Sequence, residues 1–437
     1  MASAGLLPWG VAGLLPASAG LLSASAGLLT LAVAVGAVAL VAGAIAFRRA
    51  PQAMAVVIVL GFALQPTLVF YLSVAFGPAK DAIVLAGLLS LLAAAAFGLP
   101  AERRGYDAWL VGAIVLLLGM YLLNPAGGHG AGWSNGARLT IEAFGLFLLG
   151  YLGPHPRRTW QWALWALVGV ALLNVAVGLA QQGIGVQRLV HQFGYQFGDE
   201  VRTTAGGRFR SFGTLNDPFN YAALLALALV CATFELRGRL AACVAALLAV
   251  GIAISYVRTE LVLMAAIAAL ALLRARRVPS AVGLLLAVLI AAVGLLARTP
   301  QPTLSPRSNA SVLSTLNGRT SGWSELLAGP SELIAGRGVG AVGSGLARSA
   351  TTGIYQPGRF TPGSSPAVAQ EGDLRNLDST YLATLADVGL LGLVLILAIL
   401  GRMLVLIRPG APGDGRALWT CLGLWLVVAL DALTRSS

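Results

Sequence analysis

Three arginines that stand close together before an apolar segment are the first residues of this sequence that could do chemistry. Arg202, Arg208 and Arg210 precede the sequence NDP at residues 216–218, and Asn or Asp before Pro is a common way to begin a helix. Guanidinium groups beside the N–H groups of a helix start form a site for an anion such as a phosphate. The alternative is that these arginines contact lipid head groups.

Arg258 is the second candidate, because it lies in a very short connection between two apolar runs. Glu260 follows it within one helical turn. An ionisable residue at the edge of a membrane is usually explained by function or by pairing. Arg258 therefore either binds substrate or forms an ion pair with Glu260 or Glu142. Arg138 and Glu142 are four residues apart, so they lie on one face of a helix.

The long polar segment near the C-terminal end supplies a carboxylate and a glycine-rich stretch. Asp378 and Ser379 precede an apolar run, so Asp378 is the N-cap of a helix, a reactive carboxylate, or both. Residues 323–334 have helical spacing, whereas the sequence GRGVG at 336–340 needs an adaptable backbone. GRGVG is not a Walker-type phosphate loop, since no GK[ST] follows it.

The composition indicates that a membrane protein must position these residues. The chain has 437 residues, of which 57% are hydrophobic and 11% charged, and its mean hydropathy is +0.82. A soluble domain carries about 25% charged residues, so a soluble enzyme is excluded. The three cysteines lie in apolar runs and there are three histidines, so neither disulfides nor a metal site are expected. All 29 basic residues except Lys80 are arginines, a bias that reflects genome composition and is not by itself a sign of phosphate binding.

Twelve apolar runs predict twelve membrane helices, since about 20 apolar residues in a helix cross a bilayer core. Residues 1–26 could add a thirteenth helix, a re-entrant segment or an interfacial one. A cleaved signal peptide is less favoured, because no basic region leads it. The runs are Gly27–Phe47, Met54–Val74, Ile83–Gly98, Ala108–Leu123, Leu139–Leu152, Trp160–Ala180, Pro218–Phe234, Leu240–Tyr256, Thr259–Leu273, Val278–Leu296, Tyr381–Leu400 and Ala417–Leu433.

Arginines fall in every second short connection, which marks those connections as cytoplasmic. We therefore expect a bundle over residues 27–296 that includes an outer loop at 181–217, a large outer loop at 297–379, and C-terminal membrane helices over 380–437. Long loops translocate largely regardless of charge, so topology does not explain the arginines of the two long loops. The cytoplasmic arginines are Arg48, Arg49, Arg103, Arg104, Arg157, Arg158, Arg237, Arg239, Arg274, Arg276, Arg277, Arg402, Arg408 and Arg416.

Four motifs follow one another along the chain. Arginines precede F-G-x-x-N-x-P-x-N-x-x-A, then come S-x-x-R-T at a tight outer turn, R-x-x-x-W followed by G-x-G-V-G, and finally D-S-x-Y-L-x-x-L-x-x-x-G-L-L-G-L. This order resembles the O-antigen ligase and polymerase superfamily, the bacterial membrane glycosyltransferases that include Wzy-type polymerases and WaaL-type ligases. The resemblance covers about residues 202–400, with weaker similarity upstream in PAKDAIVLAGLL and ARLTIEAFGLFLLGYL.

The resemblance implies an all-α polytopic membrane protein of the GT-C type. It further implies transfer of a glycan from undecaprenyl diphosphate to a sugar hydroxyl, at the periplasmic face of the bacterial inner membrane, with no metal or other cofactor. Arg210 and Arg258 match the two arginines of the family that face the donor diphosphate. The further substrate-binding candidates are arginines at predicted outer positions, namely Arg138, Arg202, Arg208, Arg319 and Arg337.

One departure from the family pattern bears on the reaction. Ligases of the family typically carry a histidine shortly before the motif that corresponds to DSTYL, but residues 297–381 contain none. A carboxylate can equally serve as general base for an attacking hydroxyl, and Asp378 is the candidate. We therefore expect a polymerase of O-antigen or exopolysaccharide repeat units, with the ligase that transfers glycan to lipid A core as the alternative.

A membrane transporter or flippase is a further alternative of a different class, although such proteins carry ionisable residues near helix midpoints. The expected partners are the undecaprenyl-diphosphate-linked glycan, membrane lipid, and a chain-length regulator or flippase. No nucleic-acid partner is expected.

Overall fold

The structure is a computed structural model that describes residues 41–72, 79–96, 107–124, 131–153, 157–195, 201–203, 208–275, 330–340, 379–407 and 415–434. Within these residues the regular structure is helical, apart from isolated bridge residues that include the antiparallel pair Thr203 and Phe209. The helices are α1 (41–49), α2 (Pro51–Tyr71), α3 (Ala79–Ala96), α4 (Ala108–Leu123), α5 (Ala131–Leu152), α6 (Arg157–Ile184), α7 (Val186–His191), α8 (Pro218–Glu235), α9 (Gly238–Ser255), α10 (Arg258–Ala275), α11 (Pro330–Ala335), α12 (Thr380–Leu406) and α13 (Gly415–Thr434).

Six of the described helices are long and apolar enough to cross a membrane, namely α2, α6, α8, α9, α12 and α13. The shorter helix α4 is also apolar. The protein is therefore an all-α membrane protein in the part of the chain that is described. The N-terminal segment 1–26 and the predicted run Val278–Leu296 lie outside the described residues, and the count of twelve or thirteen spans stays a prediction.

Helix α8 lies at the centre of the larger apolar core. Tyr221, Leu225 and Leu229 on α8 are fully buried, and α6, α9, α10 and α13 surround them. Gly251 of α9 permits the close approach, because a β-carbon there would lie 2.6 Å from side-chain atoms of both Leu225 and Val175. A second core joins α4, α5 and α12.

Side-chain contacts between helices join like ends, as alternating membrane crossings require. At the end that carries the arginine-rich connections, Arg402 near the end of α12 binds Asp107 at the start of α4, with an Nε–Oδ2 distance of 2.6 Å. At the opposite end, the Tyr121 hydroxyl near the end of α4 donates to Thr384 near the start of α12, at 3.2 Å. We call these the arginine-loop end and the opposite end.

Helix α12 is broken near the opposite end. Gly389 has φ 74° and ψ −171°, values that no residue inside a regular helix adopts. Backbone groups around the break are bonded from outside the helix, since the Arg337 N–H donates to Ala386 O at 2.6 Å and Asn124 Nδ2 donates to Asp387 O at 2.9 Å. The break is therefore a built feature of the fold.

Candidate functional site

Two of the predicted arginines are neighbours at the opposite end, on two antiparallel segments, residues 201–203 and 208–210, which we call the hairpin. An antiparallel bridge joins Thr203 and Phe209. The Arg210 N–H donates to the carbonyl of Arg202 at 2.9 Å. Arg202 and Arg210 are therefore side by side across the two segments.

An aromatic cluster holds the hairpin against helices α2 and α7. The Tyr195 ring stacks on Phe70 of α2 with centroids 4.6 Å apart, and meets Phe212 edge-on at 4.8 Å. Phe212 is fully buried, and Leu189 of α7 packs in the same cluster. The hairpin therefore has an apolar base of its own.

Two polar residues near the end of α6 fix the loop that follows the hairpin. Gln181 Oε1 accepts the N–H groups of Phe212 and Gly213 at 3.1 and 3.0 Å, and its Nε2 donates to Gly213 O at 2.9 Å. Asn174 Oδ1 accepts the Thr214 N–H at 2.8 Å. Both side chains are buried, so they supply hydrogen-bond partners to backbone groups of the loop that are shielded from water.

Gln182 and Ser211 connect the same loop to α6 and α9. Its Nε2 donates to Phe209 O at 3.1 Å and to Ser211 Oγ at 2.9 Å. Ser211 is fully buried; its hydroxyl donates to Gly178 O at 2.9 Å, and its N–H donates to Ile254 O near the end of α9 at 3.2 Å.

Helix α2 also bonds to the loop, around the internal Pro66 of the helix. Thr214 Oγ1 donates to Ala63 O at 2.9 Å, and Thr67 Oγ1 donates to Thr214 O at 2.5 Å. Asn216 Nδ2 donates to Pro66 O at 3.1 Å. Pro66 lacks an N–H and so breaks the regular bonding of α2 at the level of these contacts.

The spacing of Gly213 and Asn216 in the motif F-G-x-x-N has a structural reason. Both residues have left-handed backbones, with φ values of 59° and 55°. A β-carbon on Gly213 would collide with Asn174 Oδ1 and with the ring of Tyr221. Glycine is therefore required at 213, and asparagine at 216 is among the residues that best tolerate this conformation.

Helix α8 begins as predicted, with Asp217 as N-cap and Pro218 as its first residue. The Asp217 carboxylate accepts the N–H groups of Phe219 and Asn220, each at 3.3 Å, and the Tyr221 N–H donates to the Asp217 carbonyl at 3.0 Å. The prediction that free N–H groups of this helix start contribute to an anion site is therefore wrong. The guanidinium groups are left as the donors.

Arg258 comes to the same region from the connection between α9 and α10. Only Tyr256 and Val257 separate the two helices, and Tyr256 has a left-handed φ of 53°. The Ser255 hydroxyl accepts the Val257 N–H at 3.2 Å and stabilises the turn. Arg258 is exposed at the first position of α10, whereas Glu260 is 1% exposed.

Arg210 lies within electrostatic reach of Arg202 and Arg258. Burial lowers the pKa of the Arg210 guanidinium below its ordinary value, and the positive charges of Arg202 and Arg258 lower it further. Its Nε is buried and has no hydrogen-bond partner among the described residues. An anion placed among these groups would offset their mutual repulsion.

Aromatic rings lie beneath three of the guanidinium groups. The Cζ atoms of Arg202 and Arg210 lie 5.8 and 6.0 Å from the ring centroid of Phe219, in the first turn of α8. The Cζ atom of Arg208 lies 6.0 Å from the ring centroid of Tyr256.

Arg138 belongs to a separate group of charges between α3 and α5. Its Nε lies 3.1 Å from Asp81 Oδ2 and 3.7 Å from Glu142 Oε1, and Lys80 Nζ lies 2.8 Å from Glu142 Oε2. Glu142 is thus paired with Lys80 and Arg138, and the expected alternative of a Glu142 pair with Arg258 is not found. Arg138 is engaged in holding two helices together.

Arg337 is positioned by α4 and α12. Besides the bond from Arg337 to Ala386, the Val339 N–H donates to Asn124 O at 2.7 Å. Gly336, Gly338 and Gly340 all have positive φ values, of 79°, 93° and 86°. The adaptable backbone expected for GRGVG therefore serves to dock this segment in the break of α12.

Two predicted site residues, Arg319 and Asp378, lie outside the described residues. The N-cap position of α12 is Ser379, one residue later than the position at which Asp378 was expected to cap the helix, and the Ser379 side chain makes no capping bond. Ser379 is 3% exposed. Among the described residues, no group of three or more His, Cys, Asp or Glu could hold a metal ion.

The sequence reasoning missed the side chains that position the arginines. Asn174 lies inside the apolar run Trp160–Ala180, and Gln181 and Gln182 directly follow that run. Phe219 stands between Pro218 and Asn220 in the motif F-G-x-x-N-x-P-x-N. Amide side chains in a membrane helix were the available signal, because buried amides must find hydrogen-bond partners.

Compared with known proteins, the chain matches no protein-family model and no curated protein. The resemblance to the O-antigen ligase and polymerase superfamily therefore rests on the order and spacing of the motifs.

Proposed function

We propose that the protein is a membrane glycosyltransferase that polymerises polyprenyl-diphosphate-linked oligosaccharide repeat units. The observation that carries the proposal is the group of Arg202, Arg210 and Arg258 at the opposite end. Arg202 and Arg210 lie over one ring, that of Phe219, and burial together with the charges of Arg202 and Arg258 lowers the pKa of Arg210. A diphosphate concentrates negative charge in a small volume and accepts paired hydrogen bonds from guanidinium groups. It is the ligand that this group of cations would bind best.

The surroundings of the arginines favour a lipid-linked substrate over a free one. The arginines stand at one end of a bundle with six helices that can span a membrane, so a polyprenyl chain can lie along apolar helix surfaces while its diphosphate reaches the site. The proposal includes twelve or thirteen spans in a GT-C-type fold, the bacterial inner membrane, and periplasmic long loops.

The proposed reaction is a single displacement with inversion. The acceptor hydroxyl oxygen forms a bond to the anomeric carbon, and the bond from that carbon to the diphosphate oxygen breaks. The electron pair leaves with the polyprenyl diphosphate, whose growing charge the guanidinium groups stabilise. Asp378, two residues before the start of α12, is the proposed base that takes the hydroxyl proton.

One observation favours the transporter alternative. Helix α12 is broken at Gly389, and Asp387 beside the break is 7% exposed with an Oδ1 atom that has no hydrogen-bond partner in the described part of the chain. Broken helices with buried ionisable groups are common in transporters. Flipping of a fluorescent lipid-linked sugar by the purified protein in vesicles, without product formation, would establish this alternative.

Reconstitution into vesicles with a purified lipid-linked repeat unit tests the proposal. We expect a ladder of polymers from the wild-type protein, and none from Arg210→Gln or Arg258→Gln at equal amounts of folded protein. The matched control is Arg239→Gln, an exposed arginine at the arginine-loop end, which should keep wild-type activity. Full activity in Arg210→Gln would overturn the diphosphate site.

The same assay separates polymerase from ligase. Transfer that occurs only after lipid A core is added would identify a ligase, which the lack of histidine in residues 297–381 disfavours. Asp378→Asn tests the proposed base, because it removes the proton acceptor and retains the size of the side chain. We expect it to abolish transfer and to leave donor binding unchanged.

A further inference from the structure

We propose that Phe219 is a positioning residue that orients Arg202 and Arg210 for a diphosphate ligand. The inference rests on the proposed function and names a residue that the motif pattern left unassigned. Its basis is that both guanidinium carbons lie over one ring, 5.8 and 6.0 Å from its centroid. Cations within about 6 Å of a ring centroid are attracted by the electron-rich face.

The ring opposes the mutual repulsion of the two arginines. A backbone hydrogen bond joins Arg202 and Arg210, yet both side chains are positive; burial lowers the pKa of Arg210, and the charge of Arg202 lowers it further. An arginine side chain has several rotatable bonds, so contact with a fixed ring restricts where each guanidinium group lies. A shared aromatic face draws both to one place.

Contact with an aromatic ring does not itself use the N–H donors of an arginine. A carboxylate takes two N–H donors of a guanidinium and neutralises its charge. A ring face attracts the cation through its quadrupole and does not occupy the N–H donors at the edge of the guanidinium plane, which are the donors that bind phosphate oxygens. The arrangement therefore suits binding of a diphosphate between the two groups.

Phe219 itself is held by the start of α8. Its N–H donates to the Asp217 carboxylate at 3.3 Å, and Pro218 before it is buried. The N–H groups of this helix start are bonded to Asp217, so the helix contributes the ring and not its amides. The orientation of the arginines is thus set by the same cap that begins the helix.

The test is a series of fluorinated phenylalanines at position 219, which weaken the attraction for cations stepwise with little change of shape. The matched control is the same series at Phe212, a buried ring in the loop before α8. Its described ring contacts are with Tyr195 and Phe209. The probe is geranyl diphosphate, a short polyprenyl diphosphate, titrated into the purified full-length protein in nanodiscs by calorimetry. The melting temperature of the ligand-free protein is measured in parallel.

We expect the dissociation constant to rise stepwise with fluorination at 219, to about tenfold for the trifluoro ring, as loss of a desolvated cation–π contact predicts. We expect no such trend at 212. The melting temperature should fall in step at 219, and this dependence should vanish in an Arg202→Met, Arg210→Met background. That cycle measures the contact between ring and arginines without any ligand.

Three results are decisive against the inference. A melting temperature that does not respond to fluorination at 219 shows that the ring does not hold the arginines. A melting temperature that responds while the dissociation constant does not shows that Phe219 stabilises the fold only. In both cases, binding that is lost in Arg210→Gln leaves the proposed function standing. If Arg210→Gln binds geranyl diphosphate as the wild type does, the proposed diphosphate site itself falls, and the role of Phe219 falls with it.

Discussion

The side-chain amide of Gln181 binds both backbone groups of Gly213, accepting its N–H at 3.0 Å and donating to its carbonyl at 2.9 Å. Gln181 is 4% exposed and lies in α6, whereas Gly213 lies in the loop that carries the arginines into α8. The end of α6 and this loop therefore form one hydrogen-bonded unit, which explains how a short irregular segment keeps a fixed shape at a membrane surface.

Replacing Gln181 by leucine should destabilise the protein and disorder the arginines. Leucine leaves the N–H groups of Phe212 and Gly213 buried without partners, and each such group costs about 1 to 3 kcal/mol. We expect a clear fall of the melting temperature in detergent and loss of geranyl diphosphate binding. Gln192→Leu, at an exposed position after α7, should change neither; equal effects in both variants would contradict the role of Gln181.

Replacing Gly213 by alanine should have a larger effect than replacement of a nearby glycine. Alanine at 213 would have to adopt a left-handed backbone, at a cost of about 1 to 2 kcal/mol. Its β-carbon would also overlap Asn174 and Tyr221. Gly183→Ala is the matched control, because a β-carbon at this position in α6 meets open space, and alanine favours a helix. Thermal unfolding of the two variants checks this; a Gly213→Ala protein as stable as Gly183→Ala would show that the loop is not rigid.

Acid should weaken the junction of α4 and α12 at the arginine-loop end. The hydrogen bond from the Leu110 N–H has the larger effect in lowering the pKa of Asp107 below its ordinary value, and Arg402 lowers this pKa further. A carboxylate whose pKa is lowered in the folded state stabilises that state at pH values above its ordinary pKa. This stabilisation is lost as the pH falls through about 4 and below. Melting temperatures measured from pH 7 to pH 3 should fall less steeply for Asp107→Asn than for the wild type. Identical slopes would refute the contribution.

Replacing Gly389 by alanine should release the segment 336–340 from α12. A β-carbon at 389 would overlap the carbonyl of Ile334, and the φ of 74° disfavours any side chain there. We expect the amides of Arg337 and Val339 to exchange with deuterium faster, since they donate to Ala386 and Asn124. Gly401→Ala in the same helix meets open space and should leave the exchange unchanged; protection that survives in Gly389→Ala would contradict the docking.

The features that followed from the sequence are those set by local rules. Apolar runs predicted the six described helices that are long and apolar enough to cross a membrane. Asp217 before Pro218 predicted the start of α8, and the tight connection before Arg258 predicted the turn between α9 and α10. In each case a few consecutive residues determine the backbone through hydrophobicity, capping or ring constraint.

The features that did not follow depend on residues far apart in the chain. Helix α6 continues to Ile184, past the predicted end at Ala180, because Gln181 and Gln182 find partners in a loop about 30 residues later. The docking of GRGVG requires the break at Gly389, and the sequence of neither segment predicts its contact with the other. The Asp217 cap could be predicted from the local sequence. Its carboxylate binds the N–H groups of α8 that the predicted anion site also required.

The break in α12 also fixes where the long polar segment is attached. Val339 donates its backbone N–H to Asn124 O, and Asn124 Nδ2 donates to Asp387 O, so the end of segment 336–340 is held beside the break. Ser379 occupies the N-cap position of the same helix eight residues before Asp387, a distance of about 12 Å along the axis. Gly340 and Ser379, the described residues that flank segment 341–378, therefore lie close to each other at the opposite end. A linker of about six residues could bridge that gap, so the spacing of these two residues alone places little constraint on the length of the chain between them.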